Sequence, residues 1–253
     1  MTPSSRFILS GLCCAAVIAP SALGSHIAMN FAGRGLGQSI TVRHELFISA
    51  NNPEGQSRLS ARQNLWDIST VGGNSPSATR HALFSAEIGA PASGEANIQS
   101  IIDAWSVEQG RGIGRAALVQ NLYSTIHNAT ASNLHAAAFQ VAIWEVVYEN
   151  AFDPLANTFA AAGLDAANGV TNEGGFSIGD GRTGARDPVA SLANQWLMQA
   201  WHNWYIGETG QPLSLAHSPG GTSQLLTPIP LPSAGGLALF GMMCVGGCRR
   251  RRA

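Results

Sequence analysis

His135-Ala136-Ala137-Ala138-Phe139-Gln140-Val141-Ala142-Ile143-Trp144-Glu145 is apolar on nearly every side of a helical wheel. The run predicts a helix over 132–149 that lies inside a folded body, because a helix apolar all round has no face to offer water. Gln140 precedes Ile143, Trp144 and Val147 by three, four and seven residues, so it shares their stripe. A carboxamide placed there must be hydrogen-bonded or chemically used.

Helical spacing recurs on both sides of this segment. Upstream, Ser93 could cap a helix carrying Ile98, Ile101, Ile102 and Trp105. A second helix is predicted over 115–127, with Leu118, Leu122 and Ile126 inward. Gly110 to Gly114 lacks the GxGxxG spacing and has no strand before it, so it reads as a turn and not a phosphate loop. Downstream, Asp187 as cap and Pro188 in the first turn open a helix that ends near Tyr205, with Leu192, Trp196 and Gln199 or Ala200 inward.

Farther upstream the period changes from helical to twofold. Over 39–49, Ile40, Val42, Leu46 and Ile48 share one face, which predicts a half-buried strand. His44 falls on that apolar face and reads as an interior or edge histidine. Segments 59–68 and 80–88 predict two more strands, joined through the turn residues Gly72 to Pro76. Gly174 to Ile178 predicts one further short strand. The stretch 207–227, rich in Gly, Pro and Ser, reads as a linker.

The chain has 253 residues, 45% hydrophobic and only 11% charged, which excludes a highly charged disordered polymer. Its basic residues are all Arg. Between Ser25 and Pro228 nine Arg face fifteen Asp and Glu, a formal charge of −6, which argues against nucleic acid or an anionic membrane surface as partner. The four cysteines, Cys13, Cys14, Cys244 and Cys248, lie in the two end segments. The body therefore has no disulfide, no thiolate metal site and no cysteine nucleophile. No GxSxG or HExxH pattern occurs. Asp153, Asp165, Asp180 and Asp187 sit beside Gly, Asn or Pro as turn and cap residues, and no EF-hand spacing is present. Neither a catalytic residue nor a metal or other cofactor is expected.

Residues 1–24 carry the marks of a signal peptide: Arg6, an apolar run from Phe7 to Ala19, a breaking Pro20, and Ala22-Leu23-Gly24 before the cleavage point for signal peptidase. The other end, 228–253, has three parts. Ile229-Pro230-Leu231-Pro232 is an extended proline segment, Ser233 to Cys248 is an uncharged run, and Arg249-Arg250-Arg251-Arg252 follows. As a helix the uncharged run is roughly 24 Å long, short for a hydrocarbon core of about 30 Å. The arginines would stay cytoplasmic while the body is outside.

This end resembles the PEP-CTERM sorting signal, in which Val-Pro-Glu-Pro takes the place of Ile229 to Pro232. The resemblance implies transient residence in the inner membrane, sorting by an exosortase-type enzyme, and a final location at the cell surface or outside the cell. A plain tail anchor is the alternative.

The segment around Gln140 resembles the second signature of the thioester domains of bacterial surface adhesins, where the glutamine sits in a Gln-x-Ala-Ile-Trp context. In that family a cysteine thiolate displaces ammonia from the glutamine carboxamide to make a buried thioester. The resemblance implies an α+β fold, with an antiparallel β-sandwich-like part and a helical part, over residues 25–206. The counterpart of the first signature is Leu83-Phe84-Ser85-Ala86-Glu87-Ile88, in which Ser85 stands where the family has cysteine. Ser85 and Gln140 are then relic thioester positions, and Gln140 is expected to hydrogen-bond buried backbone or Ser85. The resulting expectation is a non-catalytic, exported surface or matrix protein in adhesion or biofilm, with extracellular polysaccharide as candidate partner. A hydrolase acting on extracellular polysaccharide is the alternative, and a cleft holding two carboxylates about 5–10 Å apart would favour it.

Overall fold

A computed structural model describes residues 26–71, 78–107, 112–126, 131–148, 152–153, 158–159, 176–178, 187–217 and 221–226. The signal-peptide and sorting-tail expectations, including Ile229 to Pro232 and Arg249 to Arg252, lie outside the described residues.

The chain runs through β1 (His26–His44), a 3-10 turn, β2 (Gln56–Thr70), β3 (Thr79–Ser85), β4 (Gly94–Ser100), α1 (Ile101–Val107), α2 (Gly112–Ile126) and α3 (Asn133–Tyr148). After α3 come the short strands β5 (Phe152–Asp153), β6 (Thr158–Phe159) and β7 (Phe176–Ile178), then α4 (Pro188–Tyr205), β8 (Ser214–His217) and β9 (Gln224–Leu226). Among the described residues the fold is α+β: a seven-stranded antiparallel sheet ordered β2-β3-β9-β8-β4-β1-β7, with four helices.

The sheet is not a sandwich of two facing sheets. β1 pairs with both β2 and β4, and the ladders β2–β3, β3–β9, β9–β8 and β8–β4 complete a ring of six strands. The inside of the ring is filled by Ile27 and Met29 of β1, Trp66 and Ile68 of β2, Leu83 of β3, Ala96 of β4 and Ala216 of β8. These are alternate residues of their strands, as one pleated face requires. A larger core lies between the helices and the outward faces of Phe84, Leu215 and Leu225.

α3 is the centre of that larger core. Twelve consecutive residues from Ala136 to Val147 are buried, so the helix is enclosed as its composition predicts. Phe139 meets Phe84 edge-on at 4.8 Å and Tyr123 of α2 at 5.6 Å. Burial pushes the Tyr123 phenol up to about 12. α4 begins as predicted: Asp187 is its N-cap, accepting from the Val189 N–H at 2.7 Å, with Pro188 in the first turn. On its inner side Ala200, not Gln199, is buried.

Several sequence expectations are corrected. The helix expected behind Ser93 begins only at Ile101, because residues 94–100 ladder with β1 and β8 as strand β4. Ser93 Oγ accepts the Phe31 N–H at 2.8 Å instead of capping a helix. The expected linker 207–227 contains β8 and β9, and Leu213, Leu215, Ala216 and Leu225 are buried. The folded body therefore extends past residue 206 to Leu226. The strand expected over 39–49 ends at His44; Leu46 and Ile48 are exposed at 63% and 59%. His44 is buried, accepts the Leu46 N–H on Nδ1 at 3.0 Å, and meets Tyr148 edge-on at 5.0 Å. Among the described residues no helix is long and apolar enough to cross a membrane.

Candidate functional site

The site lies where β3 parts from β2. Asn64 of β2 stands opposite Leu83, and the ladder ends there. Continued by two residues it would place Arg62 opposite Ser85. No pair is formed beyond Asn64 and Leu83, and the β2-facing edge of Ser85 is left for another partner.

That partner is Gln140. The Ser85 N–H donates to Gln140 Oε1 at 3.0 Å, and Gln140 Nε2 donates to the Ser85 carbonyl oxygen at 2.7 Å. The carboxamide thus stands in for a strand residue and satisfies a buried peptide edge. Ser85 and Gln140 are 4% and 1% exposed. The structure brings the two sequence-singled residues together, through the backbone of Ser85 and not its hydroxyl.

The hydroxyl is directed elsewhere. Ser85 Oγ donates to the Glu87 carbonyl oxygen at 2.7 Å. The Glu87 carboxylate, two residues from Ser85, accepts from the Ser223 N–H at 3.2 Å and Ser223 Oγ at 3.4 Å. His81, four residues before Ser85, stands opposite Trp66 in the β2–β3 ladder. No base is therefore in contact with Ser85 Oγ among the described residues. A serine hydroxyl at neutral pH needs such a base to become a nucleophile.

A residue that sequence reasoning missed completes this centre. Gln224 of β9 is 1% exposed and lies opposite Ser85 on the other edge of β3. Its Oε1 accepts from Asn64 Nδ2 at 3.2 Å and Trp66 Nε1 at 3.3 Å, and its Nε2 donates to Thr222 Oγ1 at 3.0 Å. Gln224 thereby ties three strands together in the interior of the ring. Nothing in its local sequence, three residues from a Gly-Gly pair, marks it out.

Beside Ser85 and Gln140 opens a cavity of about 370 Å³. β2 lines it with Ser60, Arg62 and Asn64, alternate residues on the face that carries Trp66 deeper in the ring. β1 supplies Phe31 and Arg34, and α3 supplies Trp144 next to Gln140. β1 shifts register between Phe31 and Gly33 and again between Arg34 and Gly37. Gly33 and Gly37 take φ of 140° and 148°, a region that favours glycine. Such bulges re-aim side chains, and Arg34 sits between the two. The glycines at 33, 35 and 37 were the readable sign of this irregularity.

No carboxylate lines the cavity among the described residues. No group of three or more His, Cys, Asp or Glu that could hold a metal ion occurs among them. The ion pair of Arg80 with Asp67 at 2.9 Å is on the surface, where the Arg80 hydrogen bond holds the Asp67 carboxyl below its ordinary value.

Compared with protein-family profiles, curated proteins and solved structures, the chain matches none significantly.

Proposed function

We propose that the chain is an exported, non-catalytic cell-surface or extracellular-matrix protein, in whose body Ser85 and Gln140, the relic thioester positions, are joined by a hydrogen-bonded clamp in place of the covalent bond. The observation that carries this reading is the double hydrogen bond between the Gln140 carboxamide and the Ser85 peptide. It joins the two positions that the family links covalently. A cavity lined by no carboxylate among the described residues gives no support to a polysaccharide hydrolase.

Export and sorting are proposed on the sequence of the two ends: signal peptidase acts at the first, an exosortase-type enzyme at the second, with a transient stay in the inner membrane between. Adhesion or biofilm assembly follows as the setting, with binding through non-covalent contacts. Mass spectrometry of extracellular and cell-bound fractions tests the reading. The mature species should lack residues 1–24 and Arg249 to Arg252. A stable species that retains Arg249 to Arg252 would replace sorting with a plain tail anchor.

A further inference from the structure

We propose that the cavity beside Gln140 binds an acidic sugar unit, with Arg34 and Arg62 engaging its carboxylate or sulfate ester. This rests on the non-catalytic, non-covalent reading of the site and names the ligand class that such a site takes.

Charge is the first argument. The body from Ser25 to Pro228 is formally −6, yet the described lining of this cavity holds two arginines and no acid. Neither Arg34 nor Arg62 forms an ion pair among the described residues. Arg62 Nε is hydrogen-bonded to Ser60 Oγ, which orients the guanidinium along β2. Arg34 is held between two bulges whose glycines adopt positive φ. Backbone irregularity of this kind costs stability and is retained where it aims a side chain. Guanidinium groups bind carboxylate and sulfate oxygens with paired N–H donors, the strongest neutral-pH contact available to an anion here.

The rest of the lining suits a sugar ring. Phe31 and Trp144 provide aromatic surface, while Ser60 and Asn64 provide hydrogen-bonding groups for ring hydroxyls. Trp144 is 4% exposed, and its indole N–H has no hydrogen-bond partner among the described residues. The volume of about 370 Å³ falls in the range of small-molecule sites and matches one or two sugar rings in scale.

Isothermal titration of the purified chain with digalacturonic acid, a sulfate-ester disaccharide of galactose and the neutral galactose disaccharide tests the proposal. At least one acidic sugar should bind with one-to-one stoichiometry and at least tenfold more tightly than the neutral one. Which acid binds separates carboxylate from sulfate recognition. Arg34→Gln and Arg62→Gln should each weaken binding fivefold or more, whereas Arg80→Gln, on the exposed Asp67 pair, should change it less than twofold. Added salt should weaken it as well. Failure of both acids to bind, equal binding of the neutral sugar, or indifference to both substitutions overturns the proposal. If Arg62→Gln does not fold, Arg34→Gln decides alone, because Arg34 is exposed. Export is read from cell fractions and not from this titration, so the two readings fail separately.

Discussion

Gln140 and Ser85 pair as two neighbouring strand residues do, although one contributes a side chain and the other its main chain. The bonds run in opposite senses, at 3.0 and 2.7 Å, between groups that are both buried. A carboxamide carries the same donor and acceptor as a peptide, so it can end a ladder that the backbone has left. The same geometry makes the pair sensitive to any change that alters donor and acceptor.

Gln140→Ala should therefore leave the Ser85 N–H and C=O buried without partners and cost about 3 kcal/mol on denaturant titration. Gln140→Glu makes a sharper test. Its neutral acid can donate to the Ser85 carbonyl oxygen, whereas its carboxylate faces that oxygen without a proton. The new carboxyl should then have a folded pKa above its unfolded value of about 4.3. Its stabilising contribution should be fully present below that value and fall as pH rises through the folded one. A variant whose stability relative to the parent is the same on both sides of this window would refute the assigned geometry.

The intact mass of the processed chain should equal its sequence mass, with no loss of ammonia at Gln140. A species lighter by one ammonia, restored by Ser85→Ala, would mean that an ester has formed despite the missing base. Ser85→Cys supplies a nucleophile that ionises far more readily. Recovery of the ammonia loss in that variant, together with reactivity toward methylamine, would establish the thioester-domain ancestry.

Trp144→Ala empties a position that is 4% exposed between α3 and the cavity, and should destabilise by about 3–5 kcal/mol. A loss under about 1 kcal/mol would mean that Trp144 does not pack as described.

Tyr123 should ionise well above an ordinary phenol, since burial raises it to about 12. Because the folded value lies above the unfolded one, its share of stability is complete below about pH 10 and is lost as pH climbs toward the folded value. Phenolate absorbance during alkaline titration should show a delayed phase that a Tyr123→Phe variant lacks and that becomes ordinary once the chain is unfolded. Loss of the delayed phase in the parent, or its persistence in a Tyr123→Phe variant, would contradict this.

Gly37→Ala should be strongly destabilising, by more than about 1 kcal/mol. A Cβ there would lie 2.1 Å from the Arg62 Cβ and 2.4 Å from the Ala61 carbonyl oxygen, at a φ of 148°. Gly33→Ala has similar backbone strain but nothing within 4 Å, so the difference between the two measures the clash alone. Equal losses would place the cost in backbone conformation only.

What could be read from sequence was set by local signals. α3 is legible because its burial is written in one continuous apolar run, and α4 because Asp187-Pro188 is a local cap. Gln140 stood out as a single polar group in such a run. β4 was misread because Ile98, Ile101, Ile102 and Trp105 have helical spacing, although only the last three are helical. Its strand character comes from long-range ladders to β1 and β8 that no local period encodes. β8 and β9 are four and three residues long, and their surroundings carry Gly, Pro and Ser, so their burial comes from closure of the ring. Gln224 was invisible for the same reason. The cavity was also out of reach, since Arg34, Arg62 and Trp144 meet only after β1, β2 and α3 assemble.

Ring closure also sets an order of events. β8 and β9 bridge β4 to β3, and they come after every other described element. Until residues 214–226 are available, β3 and β4 each keep an open edge, and the Ser85 strand lacks Gln224. A chain emerging N-terminus first therefore cannot finish this fold before residues 224–226 have emerged. Unpaired edges invite pairing with other chains, so a stop after α4 should yield an aggregating product and not a smaller domain. The last strands act as a clasp that closes the body late and all at once.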